Sequence, residues 1–144
     1  MKEHNGKVYI EENKHDFEEL KEIVTILRSP EGCSWDRAQT HESMKKCLID
    51  ETNEVLTAIE NGDYENLCEE LGDVLLQVLL HAEIAKENGK FTLNDVIQKL
   101  SEKLIRRHPH VFGDVKRPET PEESLALWQS VKKIEKERKQ NKNK

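Results

Sequence analysis

Aromatic residues are scarce in this chain, at 5% of 144 residues. Cysteine, proline and glycine are also few, at three, four and six. Each shortage excludes something. The cysteines, Cys33, Cys47 and Cys68, are odd in number and form no Cys-x-x-Cys pair, which argues against a disulfide framework or a structural zinc site. No run approaches the roughly 18 apolar residues of a membrane-spanning helix. Met1 to Ile10 holds no apolar leader, so the chain reads as cytoplasmic, with no membrane partner. A net charge of −6 lacks the basic footprint of a protein that binds nucleic-acid polymers. A phosphate ligand is still compatible with that charge if a divalent cation stands between the two.

What the chain does have is charge and helical periodicity. Charged residues make up 36% and hydrophobic residues 35%, the balance of a helical domain with long solvated faces. β-Branched runs are rare. The length suits one domain with a core of its own. The reading is therefore all-α: a bundle of about five helices. Residues 1–15 read as a tail, 16–135 as the helical domain and 136–144 as a basic tail.

Punctuation marks the helices. Asp16 caps a first one, with Phe17, Leu20, Val24 and Leu27 on one face. Ser29-Pro30-Glu31-Gly32 breaks it, and Cys33-Ser34-Trp35-Asp36 follows as a loop. Thr40 caps a second helix over 41–60, stopped by Asn61-Gly62. Asp63 starts a third, which runs to Glu87 before Asn88-Gly89. Thr92 and Asp95 resemble a capping box for a fourth, reaching Arg107 and ended by His108-Pro109. Thr120-Pro121-Glu122-Glu123 combines a cap, a proline at the first helical position and a glutamate three residues after the cap. It opens the fifth helix, which carries Leu125, Trp128 and Val131.

Two carboxylate pairs stand out, Glu51/Glu54 and Glu70/Asp73. On a helical wheel Glu51 falls inside the stripe of Met44, Leu48, Val55 and Ile59, and Glu54 lies at its edge. On the third helix Glu70 lies beside the stripe of Leu67, Leu71, Val74, Val78 and Ala85, with Asp73 further round. Residues at i and i+3 are neighbours, so each pair repels, and burial adds a desolvation cost. A divalent cation reverses the sign of these terms. The same spacing recurs at Glu19/Glu22, Glu60/Asp63 and Glu119/Glu122, where a solvated face is the ordinary explanation. The pairs at 51/54 and 70/73 differ by lying among apolar residues on consecutive antiparallel helices. By pattern alone, metal site and solvated face both stay open.

Several segments together resemble the MazG-type nucleoside triphosphate pyrophosphohydrolases, members of the all-α NTP pyrophosphatase group. They are Leu27-Arg28, Cys33-Ser34-Trp35-Asp36 with Gln39-Thr40, Asp50-Glu51-x-x-Glu54-Val55, Glu70-Leu71-Gly72-Asp73, and Lys103-Leu104-x-Arg106-Arg107-His108-Pro109-His110-Val111-Phe112. The resemblance covers roughly residues 20–132. It implies Mg²⁺, with Mn²⁺ as a substitute, held by Glu51, Glu54, Glu70 and Asp73. It implies nucleotide contacts from Lys103, Arg107, Trp128 and Lys132, with Trp35 and Asp36 as further candidates. It also implies a homodimer, in line with the apolar surface that nearly encircles the third helix. Asp50 stands where the family has a leading glutamate, and Ser34 replaces the proline usual before Trp-Asp.

The expected reaction is hydrolysis of a nucleoside triphosphate to monophosphate and pyrophosphate. Cys47 and Cys68 have no evident base partner, so water is the expected nucleophile. Glu51 and Glu54 are the candidates to orient it. His108-Pro109-His110 reads as a structural turn and not as a metal site. A non-catalytic helical protein that retains the fold and binds nucleotide or metal is the competing reading.

Overall fold

The computed structural model describes residues 2–4, 7–9 and 15–142. Two short strands, β1 (Lys2–His4) and β2 (Lys7–Tyr9), pair antiparallel with Lys2 opposite Tyr9. They fall within the stretch read as a tail. Asn-Gly lies between them in the sequence, a dipeptide favoured where two strands turn back on one another. The remaining regular structure among the described residues is helical: α1 (Phe17–Leu27), α2 (Ser34–Ala38), α3 (Lys45–Glu60), α4 (Tyr64–Glu87), α5 (Leu93–Arg107), α6 (Pro109–Phe112) and α7 (Pro121–Lys142). The five expected helices are α1, α3, α4, α5 and α7. The two additional ones are short turns of helix in segments read as connections.

The chain divides into two compact units, Met1–Leu93 and Asn94–Lys144. In the first, α3 and α1 pack against α4. The core consists of Val24, Met44, Leu79, Leu80 and Ile84, with Leu20, Cys47, Leu76 and Leu93 packed against it. Met44 belongs to the expected stripe of α3, but Leu48 and Ile59 of that stripe are exposed. On α4, Leu71 and Val78 are likewise exposed, and the buried side runs through Gln77, Leu80 and Ile84. An almost encircling apolar surface does not by itself say which side faces inward. The neighbouring helices decide that.

The helix ends follow their local chemistry. Asp16 accepts a hydrogen bond from the Glu19 amide at 2.8 Å, and Asp63 accepts one from Asn66 at 3.2 Å. Thr120 accepts from the Glu123 amide at 3.2 Å, while the Glu123 carboxylate accepts from the Glu119 amide. Thr40 was expected to cap α3 directly. Its hydroxyl instead accepts from the Ser43 amide, closing a separate turn over 41–44 before the helix begins at Lys45. Helices α3 and α4 stop in the same way. Gly62 and Gly89 adopt φ of 62° and 68°. The Asp63 and Lys90 amides then reach back to Ala58 and Ala85 carbonyls, the paired closure of a Schellman motif.

Helix α7 runs further than the sequence reading allowed. Residues 136–142, taken as a basic tail, continue the helix. Lysine, arginine, glutamate and glutamine are good helix formers, no glycine or proline interrupts them, and cations at a helix C-terminus meet its dipole favourably.

Arg28 holds the segment after α1. Its side chain is only 6% exposed. Nε and Nη2 donate to the Glu87 carboxylate at 2.9 and 2.8 Å. Nη1 donates to the carbonyls of Asp36 and Gln39. One guanidinium thus ties the α2 segment to the end of α4. Its hydrogen bond holds the Glu87 carboxyl below the usual carboxylate range, against the opposing effect of burial. A carboxylate with a lowered folded pKa contributes its stability above the unfolded value, and that contribution is lost as pH falls through the folded value. The stability gap between the wild type and Glu87→Gln is therefore expected to be full at neutral pH and to close in acid, as read by urea unfolding at a series of pH values. In the core, Leu80→Ala is expected to cost about 2–5 kcal/mol in the same assay.

Candidate functional site

The acidic residues sit where α3 and α4 run side by side. The two helices are consecutive, joined by Asn61–Asp63, and pack along their length. Glu51 of α3 and Glu70 and Asp73 of α4 each present a carboxylate oxygen, and these oxygens all lie within 4.8 Å of one another. Glu51 and Glu70 are half-buried and Asp73 is exposed. Glu54 is not part of this group of three. It is near enough, however, for its charge to act on both glutamates.

The electrostatics are those of crowded like charges. Burial pushes the Glu51 carboxyl up, helped by the charges of Asp73, Glu54 and Asp50. Glu70 is raised by burial, by Glu54, Asp73 and Glu51, and by a hydrogen bond with Asp73. Every cause acts in one direction, because no side-chain cation is among the causes at either residue. Three carboxylates converging in this way suit a hard divalent cation, which takes oxygen ligands and completes its shell with water or phosphate.

Trp35 and Asp36 are not brought to this cluster within the chain. Asp36 is anchored by Arg28, which in turn binds Glu87. Glu87 lies fourteen residues beyond Asp73 on α4, about 21 Å along the helix. Trp35 is 57% exposed at that far end. A cleft of about 420 Å³ opens there, lined by Arg28, Arg37, Gln39, His41 and Glu87 among others, and by none of the acidic cluster.

Lys103, Arg107, Trp128 and Lys132 all belong to the second unit. The Arg107 guanidinium lies 5.5 Å from the centre of the Trp128 ring, and Lys132 Nζ lies 4.9 Å from it. Three of the four are therefore one cluster, while Lys103 is exposed one turn from Arg107 on α5. Arg106 and Arg107 both bind the Glu135 carboxylate. Glu135 went unnoticed in the sequence, although Trp128, Lys132 and Glu135 are spaced at i, i+4 and i+7 on one helix face. Also missed was a stacked pair, His41 and His81, with Nδ1 atoms 2.7 Å apart and ring planes 3° from parallel. Its partners are 40 residues apart and no local pattern joins them. His110 of the His108-Pro109-His110 turn lies 5.7 Å from His108, centre to centre. Among the described residues, neither histidine pair joins a group of three metal-ligating side chains.

These observations define a class first: an all-α protein whose helical hairpin gathers carboxylates suited to a divalent cation. Residues 39–112 match the family described as the MazG nucleotide pyrophosphohydrolase domain, and the chain belongs to that family. It is 55% identical over 125 residues to the nucleoside triphosphate pyrophosphohydrolase/pyrophosphatase MazG of Thermotoga maritima, covering 87% of this chain and 47% of that protein. It is 43% identical over 126 residues to the nucleoside triphosphate pyrophosphohydrolase of Escherichia coli, covering 87% of this chain and 48% of that protein. The chain thus spans about half the length of these relatives. The crystal structure of a mazG-related protein from Thermotoga maritima matches with a TM-score of 0.64 at 33% identity, covering 79% of this chain and 96% of that one.

Crowded carboxylates have a measurable consequence. With EDTA present at pH 7, Glu70→Gln is expected to melt at a higher temperature than the wild type, because it removes repulsion. Adding Mg²⁺ should stabilise the wild type and reverse the order. Differential scanning calorimetry with and without the cation reads both effects.

Proposed function

We propose that this chain hydrolyses nucleoside triphosphates between the α and β phosphates, releasing a monophosphate and pyrophosphate. The observation that carries this reading is the convergence of Glu51, Glu70 and Asp73 from two helices, in a chain of the MazG family. Mg²⁺ is the proposed cation, with Mn²⁺ as a substitute, and Glu51, Glu70 and Asp73 would hold it, with Glu54 beside them. A cation bound there neutralises phosphate charge and acidifies water.

The chain's own residues supply the rest. Glu54, outside the close group of three, accepts a hydrogen bond from the attacking water and takes its proton. Glu51 is the second candidate for that role. The water oxygen forms a new bond to phosphorus while the bond to the bridging oxygen breaks, and pyrophosphate departs with the bonding electrons. Lys103, Arg107 and Lys132 stabilise the charge on the departing group, and the Trp128 ring offers a stacking surface to the base.

A homodimer completes this reading. Leu48, Ile49, Leu56 and Ile59 of α3 and Leu71, Leu75 and Val78 of α4 are exposed, a large apolar surface for a free monomer. The far position of Trp35 and Asp36 also fits a second copy, since they would serve the acidic cluster of the partner instead of their own. The cytoplasm is the proposed location. No helix among the described residues is long and apolar enough to cross a membrane.

Purified protein incubated with ribo- and deoxynucleoside triphosphates and Mg²⁺ is expected to release pyrophosphate, and none with EDTA. Orthophosphate as the product would place cleavage at the wrong bond. Glu54→Gln and Asp73→Asn should each lose activity while circular dichroism stays near wild type. Full turnover in both would end the carboxylate assignment. Chains carrying Trp35→Ala and chains carrying Asp73→Asn, inactive apart, should regain activity when co-expressed. A lack of recovery would count against shared sites.

A further inference from the structure

We infer that Glu135 is a positioning residue for polyphosphate binding: its carboxylate fixes the Arg107 guanidinium so that the donors it leaves free meet the ligand. The inference rests on the proposed nucleotide-binding role of Arg107, Trp128 and Lys132.

The geometry is specific. Glu135 Oε1 accepts from Arg106 Nε. Oε2 accepts from Arg107 Nε at 3.1 Å and lies 3.1 Å from its Nη2. A guanidinium carries five N–H donors in a rigid fork. Glu135 occupies the Nε side of the Arg107 fork and leaves Nη1 uncommitted to it. The side chains of Arg107 and Glu135 are only 16% and 14% exposed, so solvent does little to loosen the pair. An exposed ion pair would be worth little. This one is shielded, and it is braced by the Trp128 ring.

Charge separates this cluster from a simple balanced clamp. Arg106, Arg107 and Lys132 bring three cations against the one carboxylate of Glu135, and the Arg106 and Arg107 hydrogen bonds keep that carboxylate ionised by holding its pKa low. Two positive charges remain over. An arginine that has already lost its freedom spends less entropy when a phosphate binds, which is the usual gain from preorganisation. A bare clamp between α5 and α7 would contribute to stability and leave ligand affinity alone.

Isothermal titration of the full chain with inorganic pyrophosphate in Mg²⁺ tests the difference, alongside steady-state kinetics on a nucleoside triphosphate. Glu135→Ala is expected to weaken pyrophosphate binding and raise KM by roughly tenfold or more, the scale of one charge-assisted hydrogen bond, with kcat changed far less. Glu135→Asp should recover part of the loss. If the alanine variant does not fold, Glu135→Gln, which keeps the shape and removes the charge, carries the same expectation. Unchanged affinity in the folded variant would overturn the inference. Tighter binding would overturn it too, by making Glu135 a competitor for the arginines. Arg107→Ala separates the two levels. If it leaves pyrophosphate binding intact, the nucleotide-binding reading of the cluster fails. If it weakens binding and Glu135→Ala does not, only the positioning role fails.

Discussion

Repulsion among the carboxylates of the α3–α4 hairpin is opposed by the apolar packing that holds the two helices together. Glu51 faces Glu70 and Asp73 across two helices that pack together, so the packing that joins α3 to α4 also holds these carboxylates close. The core around Met44, Leu79 and Leu80 therefore does more than stabilise the fold. It keeps together negative charges that push the Glu51 and Glu70 carboxyls up, with no side-chain cation among the causes at either. A divalent cation bound among them would offset that repulsion, and its binding would then stabilise the same short stretch of two helices.

Much of this was legible in the sequence because the signals are local. Asp16, Asp63 and Thr120 are caps, and Asn61-Gly62 and Asn88-Gly89 are stops. The structure uses all of them. The acidic spacing was also visible, since i and i+3 place two side chains on one face without any tertiary information. What was not legible depends on which face turns inward. Leu71 and Val78 look like core on a wheel and are exposed in the structure, because α1 and α3 cover the side bearing Leu80 and Ile84 instead. Arg28 with Glu87, His41 with His81, and Arg107 with Glu135 are pairings across long sequence separations. Each partner is unremarkable alone, and only the fold makes them neighbours.

The second unit follows a different economy. Its helices α5 and α7 carry many exposed apolar and charged residues, and their described links are made by long side chains: two arginines on one glutamate, and two cations about one tryptophan. Such links are directional where a packed hydrophobic layer is not. They set the orientation of a few groups more firmly than they set the stability of the whole. The helix propensity of residues 136–142 adds to this, since it keeps the turn bearing Glu135 away from a fraying end.

Helix α4 is also a measuring rod. Asp73 faces one neighbour toward its middle and Glu87 faces another at its end, and a continuous helix fixes both the distance and the rotation between them. One inserted residue would lengthen the rod by only about 1.5 Å but turn its far end by about 100°. Glu87 would then swing away from Arg28 while the acidic end stayed in register. The interval between the two sites should accordingly tolerate substitution far better than any change in length, and a change of three or four residues, close to a full turn, better than a change of one.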